Sequence, residues 1–304
     1  AKEAEAFNDA LLTSSVTGES INTLPKLQGL VDAYRKVFAL ADGIGNNADS
    51  TKDVTLAEYQ RIGVSTNPLG NDTHRLLLLN DAVDAQSFEG VNTIDEINNL
   101  VRIASAVQDR ATGLSTNLSV EDLTKLGVRG VTQDNLGNLI NAIAQVGPGG
   151  SDSLQELQNL LYSSLSISFD AISEDSGFGP NDFITNDNLL IFTGTTTADS
   201  NTKIRLTLKR DGQPDVVLEG DIKQGQWDVR NTVALANGDY TITAQLFDAN
   251  TFILKTVPFA QHVVVNKQEA ATNPLNNNTI ASRTTIASRI SVPAVTPRKL
   301  FHGS

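Results

Sequence analysis

INTLPKLQGLV, residues 21–31, returns seventy positions later as VNTIDEINNLV, residues 91–101, with Asn, Thr, Leu and Val kept in place. In the first copy Leu27, Leu30, Val31, Tyr34, Val37 and Phe38 recur at three- and four-residue spacings, the signature of one apolar stripe on a helix over 24–43. Asn22 or Thr23 is placed to cap it, and Pro25 falls in the first turn, where a missing N–H costs nothing.

Two further echoes follow in the same order. VTLAEYQRIGV (54–64) is answered by LSVEDLTKLGV (118–128), and SLQELQNLL (153–161) opens like the first phrase again. Thr55 with Glu58, and Ser119 with Asp122, have the spacing of a capping box. Gly63 and Gly127 stand where a helix ends in a left-handed residue. One amphipathic helix cannot bury its own stripe, whereas stacked units bury a continuous core. Residues 1–90 therefore read as one unit of three short helices. Residues 91–164 read as a second unit plus the start of a third.

The pattern changes near Tyr162. LSISF, LLIFTG, KIRLTLKRDG, DVVLEG, QWDV, DYTITAQLFD and QHVVVN alternate apolar and polar residues and are rich in β-branched side chains. Turn signals at Asp211-Gly212 and Asn237-Gly238 separate them. Short strands at this density predict an antiparallel, immunoglobulin-like β-sandwich over 165–266, with Trp227 and Tyr240 as core anchors. Residues 267–304 form a polar tail in which TIASR occurs at 279–283 and again at 285–289. That composition reads as a basic extended tail or linker. The expected fold is thus multidomain α and β: repeated three-helix units, then the sandwich, then the tail.

Charge sharpens the division. The net charge is −12, yet residues 267–304 hold a single acid, Glu269, against Lys267, Arg283, Arg289, Arg298 and Lys299. An acidic body argues against nucleic acid, whose affinity rests on Lys and Arg contacts to phosphate. There is no cysteine, so neither a disulfide framework nor a thiolate site is available. No apolar run approaches a membrane span. The opening AKEAEAFNDA lacks the apolar core of a signal peptide.

DSGFGPNDFITNDNLLIFTGTT (175–196), GQWDV (225–229) and LANGDYTITAQLFDAN (235–250) together resemble the repeated immunoglobulin-like domains of giant bacterial surface adhesins of the biofilm-associated protein type. The likeness covers roughly 170–266, and the helical phrases resemble modules found in such exported proteins. Gln226 departs from the Asn usual before the tryptophan, FDANTFILKT departs from the usual Gly-Asn turn, and the tail matches nothing in the family. The resemblance implies an extracellular or cell-surface location, a stalk or adhesion role, and calcium stiffening the junctions between domains. Implied partners are other copies of the chain, neighbouring domains of a longer chain, and a host or matrix ligand.

In an immunoglobulin sandwich the entry to the first strand and the turn after the strand DYTITAQLFD share a pole. That geometry would bring Asp175, Asp182 and Asp187 of the entry segment toward Asp248. Converging carboxylates with backbone carbonyls suit Ca²⁺, which takes 6–8 oxygen ligands. The other reading is that these are turn-forming aspartates bonding their own backbone. A second acidic loop, DGIGNNADSTKD (42–53), has the length of an EF-hand loop. However, Ile44 sits at a ligand position, Asn47 replaces the required glycine and Asp53 is too short for the closing glutamate. It reads as a solvated loop.

His74, His262 and His302 lack the spacing of a metal site, and neither a phosphate loop nor a nucleophile elbow occurs. A non-catalytic surface module is expected. The alternative is a fibre or surface-layer subunit linked through its tail, a basic strand adding to the sheet edge of an acidic neighbour.

Overall fold

The fold was read from a computed structural model, which describes residues 2–43, 53–177, 179, 181–248, 253–256 and 261–266. Residues 267–304, and most of the 42–53 loop, lie outside the described residues, as does the turn after Asp248.

Local sequence sets the helices. After α1 (Lys2–Leu12) and α2 (Gly18–Ile21) come α3 (Leu24–Leu40), α4 (Leu56–Arg61) and α5 (Thr73–Asp84), then a 3-10 turn at Phe88–Gly90. The same succession returns as α6 (Ile94–Ala111), α7 (Val120–Leu126) and α8 (Gln133–Val146), a 3-10 turn at Pro148–Gly150, and α9 (Leu154–Ser164). Helices over 2–12 and 18–21 are additions to the sequence expectation. Both predicted capping boxes form: Thr55 with Glu58, and Ser119 with Asp122. Thr93 with Glu96 and Thr132 with Asn135 add two more. Thr23 caps α3 without a side-chain bond.

The predicted stops hold as well. Gly63 and Gly127 have φ of 96° and 122°. Val64 N–H bonds back to Tyr59 O and Gly63 N–H to Gln60 O; Val128 and Gly127 repeat the pattern on Leu123 and Thr124. Each pair of bonds satisfies carbonyls that the helix leaves open. A Cβ on Gly127 would also press against Leu154 at 2.9 Å and Ala85 at 3.2 Å, so this helix end doubles as a packing surface.

The β region comprises β1 (Ala171–Ile172), β2 (Ile184–Thr185), β3 (Ile191–Thr195), β4 (Lys203–Lys209), β5 (Val216–Lys223), β6 (Gln226–Arg230), β7 (Gly238–Phe247), β8 (Ile253–Thr256) and β9 (Gln261–Val265). They form one curled hydrogen-bonded path, β1-β3-β6-β5-β4-β7-β9-β2, with β8 on β7. β5 turns the corner: residues 216–221 pair with β4 and residues 222–223 with β6. All pairs are antiparallel except β2 on β9. Alternation puts Phe192, Ile204, Leu206, Leu208, Val229, Ile242 and Leu246 inside, the period-2 pattern of a strand with one buried face.

LSISF does not form the predicted first strand. It runs beside β3 through Ser168 N–H to Thr195 O and Asp170 N–H to Thr193 O, and the paired strand begins only at Ala171. Trp227 and Tyr240 are core residues, as expected. The Trp227 ring lies over Gly194, its partner across the β3–β6 pair, and Nε1–H donates to Thr195 O at 3.3 Å.

Candidate functional site

The aspartate-rich entry to the β region folds on its own backbone. Asp175 Oδ2 accepts the N–H groups of Asn181 (2.8 Å) and Phe183 (3.3 Å). Asp182 Oδ2 takes Gly179 N–H at 3.0 Å and Oδ1 takes Ile184 N–H at 3.1 Å. Asp187 Oδ1 accepts from Leu189 N–H at 2.9 Å. Short acidic side chains are favoured in such turns because they replace a backbone acceptor. The segment is also strained: Glu174, Asn181 and Phe183 have φ of 56°, 75° and 57°, a region costly for side chains other than glycine. Phe183 is held there by its ring, 5.5 Å from Phe169, and by its carbonyl, which accepts from Val264 N–H at 2.9 Å.

One oxygen is left over. Asp175 Oδ1 is buried and has no hydrogen-bond partner. Among the described residues, no three His, Asp or Glu side chains gather as a metal set.

The structure brings Asp175 and Asp182 together and sets Asp187 just after them, but it puts Asp248 elsewhere. Phe183 meets Val264, and Val264 pairs with Asp239 at the start of β7. Asp248 follows Phe247, which pairs with Lys203 at the far end of the same strand. Nine residues of strand separate the two levels, about 30 Å. The expectation of a shared pole is corrected on this point: Asp248 flanks the helices. There it adds to burial in raising the Tyr162 hydroxyl's pKa, with Asp199 acting the same way and Arg129 against it.

The two poles differ in what they join. At the helical pole α9 ends at Ser164, and Ser166 N–H is already bonded to Thr197 Oγ1. Asn135, fully buried in the first turn of α8, donates through Nδ2 to Gly130 O (2.9 Å) and to Thr197 O (3.0 Å). An open crevice beside this contact is lined by Thr132, Asp134, Asp199 and Lys223. At the other pole Asn266 N–H bonds Thr185 O at 2.7 Å, so the chain leaves beside the aspartate turn.

Long-range contacts that sequence reading missed tie the helices together. The backbone N–H of Ile94, first residue of α6, donates to Asp9 Oδ2 of α1 at 2.7 Å. The N–H of Leu154, first residue of α9, donates to Asp81 Oδ2 of α5 at 3.0 Å. The signal was present: Asn-Asp-Ala occurs at 8–10 and again at 80–82. His74 Nδ1 also pairs with Asp152 Oδ2 at 2.6 Å, joining the start of α5 to the segment before α9.

Residues 163–260 match the family described as bacterial Ig-like domain. No curated protein and no solved structure matches the chain. Among the described residues, no helix is long and apolar enough to cross a membrane.

Proposed function

We propose that the chain is a structural and adhesive module of a bacterial surface protein, a duplicated helical spacer feeding an immunoglobulin-like β-sandwich. The match over 163–260 supports a surface-associated structural module. The observation that carries the mechanical part is the threading of the β region: the chain enters at the helical pole through Leu165 and Ser166 and leaves at the opposite pole beside Thr185. A domain entered at one end and left at the other transmits tension along its strands and adds length to a stalk. On this reading the short connection after α9 and the Asn135 bonds at the junction couple the helices to the sheet, so that tension passes from one to the other.

The sandwich reading draws on the pairing of β3 with β6, β4 with β7 and β7 with β9, and on the parallel β2–β9 pair. Tyr240 supports it further: its hydroxyl returns to Ala236 O, four residues upstream and just ahead of β7, at 2.8 Å. This is the arrangement of a tyrosine corner. In the source bacterium, antibody against this chain should label intact cells. Labelling only after permeabilisation would sink the surface reading.

Calcium at the distal pole is a second reading, favoured by the buried, unpartnered Asp175 Oδ1 inside a strained turn. The ion would be held by Asp175 with backbone carbonyls rather than by a cage of carboxylates. Its role would be to stiffen the exit from the domain. Self-assembly through residues 267–304 is the alternative function, motivated by the basic tail on an acidic body. An oligomeric state unchanged at every concentration by deletion of 267–304 would remove it.

A further inference from the structure

The two aspartate staples have a third, unfilled place. Leu24, Ile94 and Leu154 are the first residues of α3, α6 and α9. Ile94 and Leu154 are 2% and 7% exposed, each with its N–H on a carboxylate from an Asn-Asp-Ala or equivalent helix face. Leu24 is 77% exposed, and among the described residues no carboxylate meets its N–H. Three residues on, Ile97 and Leu157 are fully buried, while Leu27 is exposed. The same docking turn is thus written three times and used twice.

The opposite end of the helical stack is closed. In α8, Asn138 and Asn141 occupy the places that Leu78 and Asp81 hold in α5, and both asparagines face solvent. Asn141 Oδ1 accepts from Arg110 instead, at 3.3 Å. Arrays of stacked units need polar faces at their ends, because an uncovered apolar docking face invites association. α8 has such a face and the first turn of α3 does not.

We propose that the first turn of α3, with Leu24 and Leu27, is a docking surface for one further helical unit of this same kind. The occupant is an amphipathic helix of the α1 and α5 type, which covers the two leucines and presents an aspartate to the Leu24 N–H. The tail is a poor occupant, since its one acid, Glu269, lies outside the TIASR repeats. A second copy docking through α8 would present asparagine and polar surface where α5 presents Leu78 and Asp81. The inference rests on the helical units being true repeats.

The test extends the full chain. Residues 71–132 are repeated ahead of residue 1, so that α1 follows the copied α7 as the third helix of a unit and the copied Asp81 faces α3. Amide hydrogen exchange then reads Leu24 and the copied helices separately. The copied helices are expected to be protected and Leu24 exchange to slow about tenfold or more. Changing the copied Asp81→Ala should restore fast exchange at Leu24 while the copied helices stay protected. A folded extension that leaves Leu24 exchanging as in the parent would overturn the docking and keep the repeat. Copied helices without protection would overturn both, since an open end must accept one more unit. Protection of Leu24 that grows with concentration in the unextended chain would make the occupant a second copy, and would overturn the proposal too.

Discussion

The Asp81 carboxylate accepts the backbone N–H of Leu154 at 3.0 Å across 73 residues of sequence. It thereby binds the middle of α5 to the first turn of α9. The first N–H groups of a helix have no partner inside it, and the helix dipole favours an anion there. Asp81 is buried, so water is a poor substitute for this bond.

Asp81→Ala should therefore destabilise the protein by about 1–3 kcal/mol, the cost of stranding a buried donor and losing a charged acceptor. Asp81→Asn keeps an acceptor and should lose less. Urea midpoints of the two variants against wild type give the comparison. Equal stability of all three would show that the staple carries no energy.

Gly194→Ala should be among the most harmful single-atom changes in the β region. A Cβ there runs into the Ser168 carbonyl and the Trp227 ring. The carbonyl is backbone and cannot swing aside, so overpacking of about 1–3 kcal/mol is expected. Tryptophan fluorescence, red-shifted as the indole is pushed outward, reads the displacement directly. An unshifted spectrum with unchanged stability would mean the strands yield instead.

Asn135→Ala should loosen the helix–sheet junction. It strips the Nδ2 bonds to Gly130 O and Thr197 O and the cap of the Thr132 N–H. A loss of about 1–3 kcal/mol follows from leaving buried groups unpaired. Small-angle scattering should show a broader distribution of lengths for the variant than for wild type if the junction is what keeps the two parts aligned.

The pair of His74 and Asp152 gives a pH dependence. The hydrogen bond to Asp152 leads in raising the His74 pKa above its ordinary 6.5, helped by the charges of Asp152, Asp72 and Glu156 and opposed by desolvation. A raised folded-state pKa means this stability is complete below the unfolded value and is lost as pH rises through the folded one. Both partners retain solvent contact, which limits the effect to about 1 kcal/mol or less. Urea midpoints taken below and above this window should fall with rising pH in wild type, and His74→Gln should flatten that slope. An identical slope in the variant would assign it to other groups.

Calcium, under the second reading, should raise the melting temperature in a way that Asp175→Ala abolishes and Asp248→Ala leaves intact. The two residues sit at opposite poles, so the pair separates a distal site from general binding to an acidic surface. A shift of several degrees is expected at calcium concentrations about 100 times the dissociation constant. No shift in wild type would leave the aspartates as turn formers only.

Much of this molecule is written locally. Thr55 with Glu58 and Ser119 with Asp122 announce helix starts because both partners of a capping box lie within one turn. Gly63 and Gly127 announce helix ends because few other residues take a positive φ without strain. Trp227 and Tyr240 could be placed in the core from strand alternation alone. LSISF misled for the opposite reason: it alternates like a strand, yet only the register against β3 decides where pairing starts. Two-residue strands such as β2 carry no periodicity at all.

What the sequence determined by itself is most of the longer elements and their buried faces, since propensity, caps and hydrophobic period act over a few residues; α1, α2 and the two-residue strands β1 and β2 came from the structure. Tertiary structure alone decided which ends meet: Asp81 with Leu154, Asn135 with Thr197, Asp175 apart from Asp248. Those pairings depend on how strands and helices stack over tens of residues. A shift of one strand length, about 30 Å here, carries an aspartate from one pole of the β region to the other while leaving every local signal unchanged.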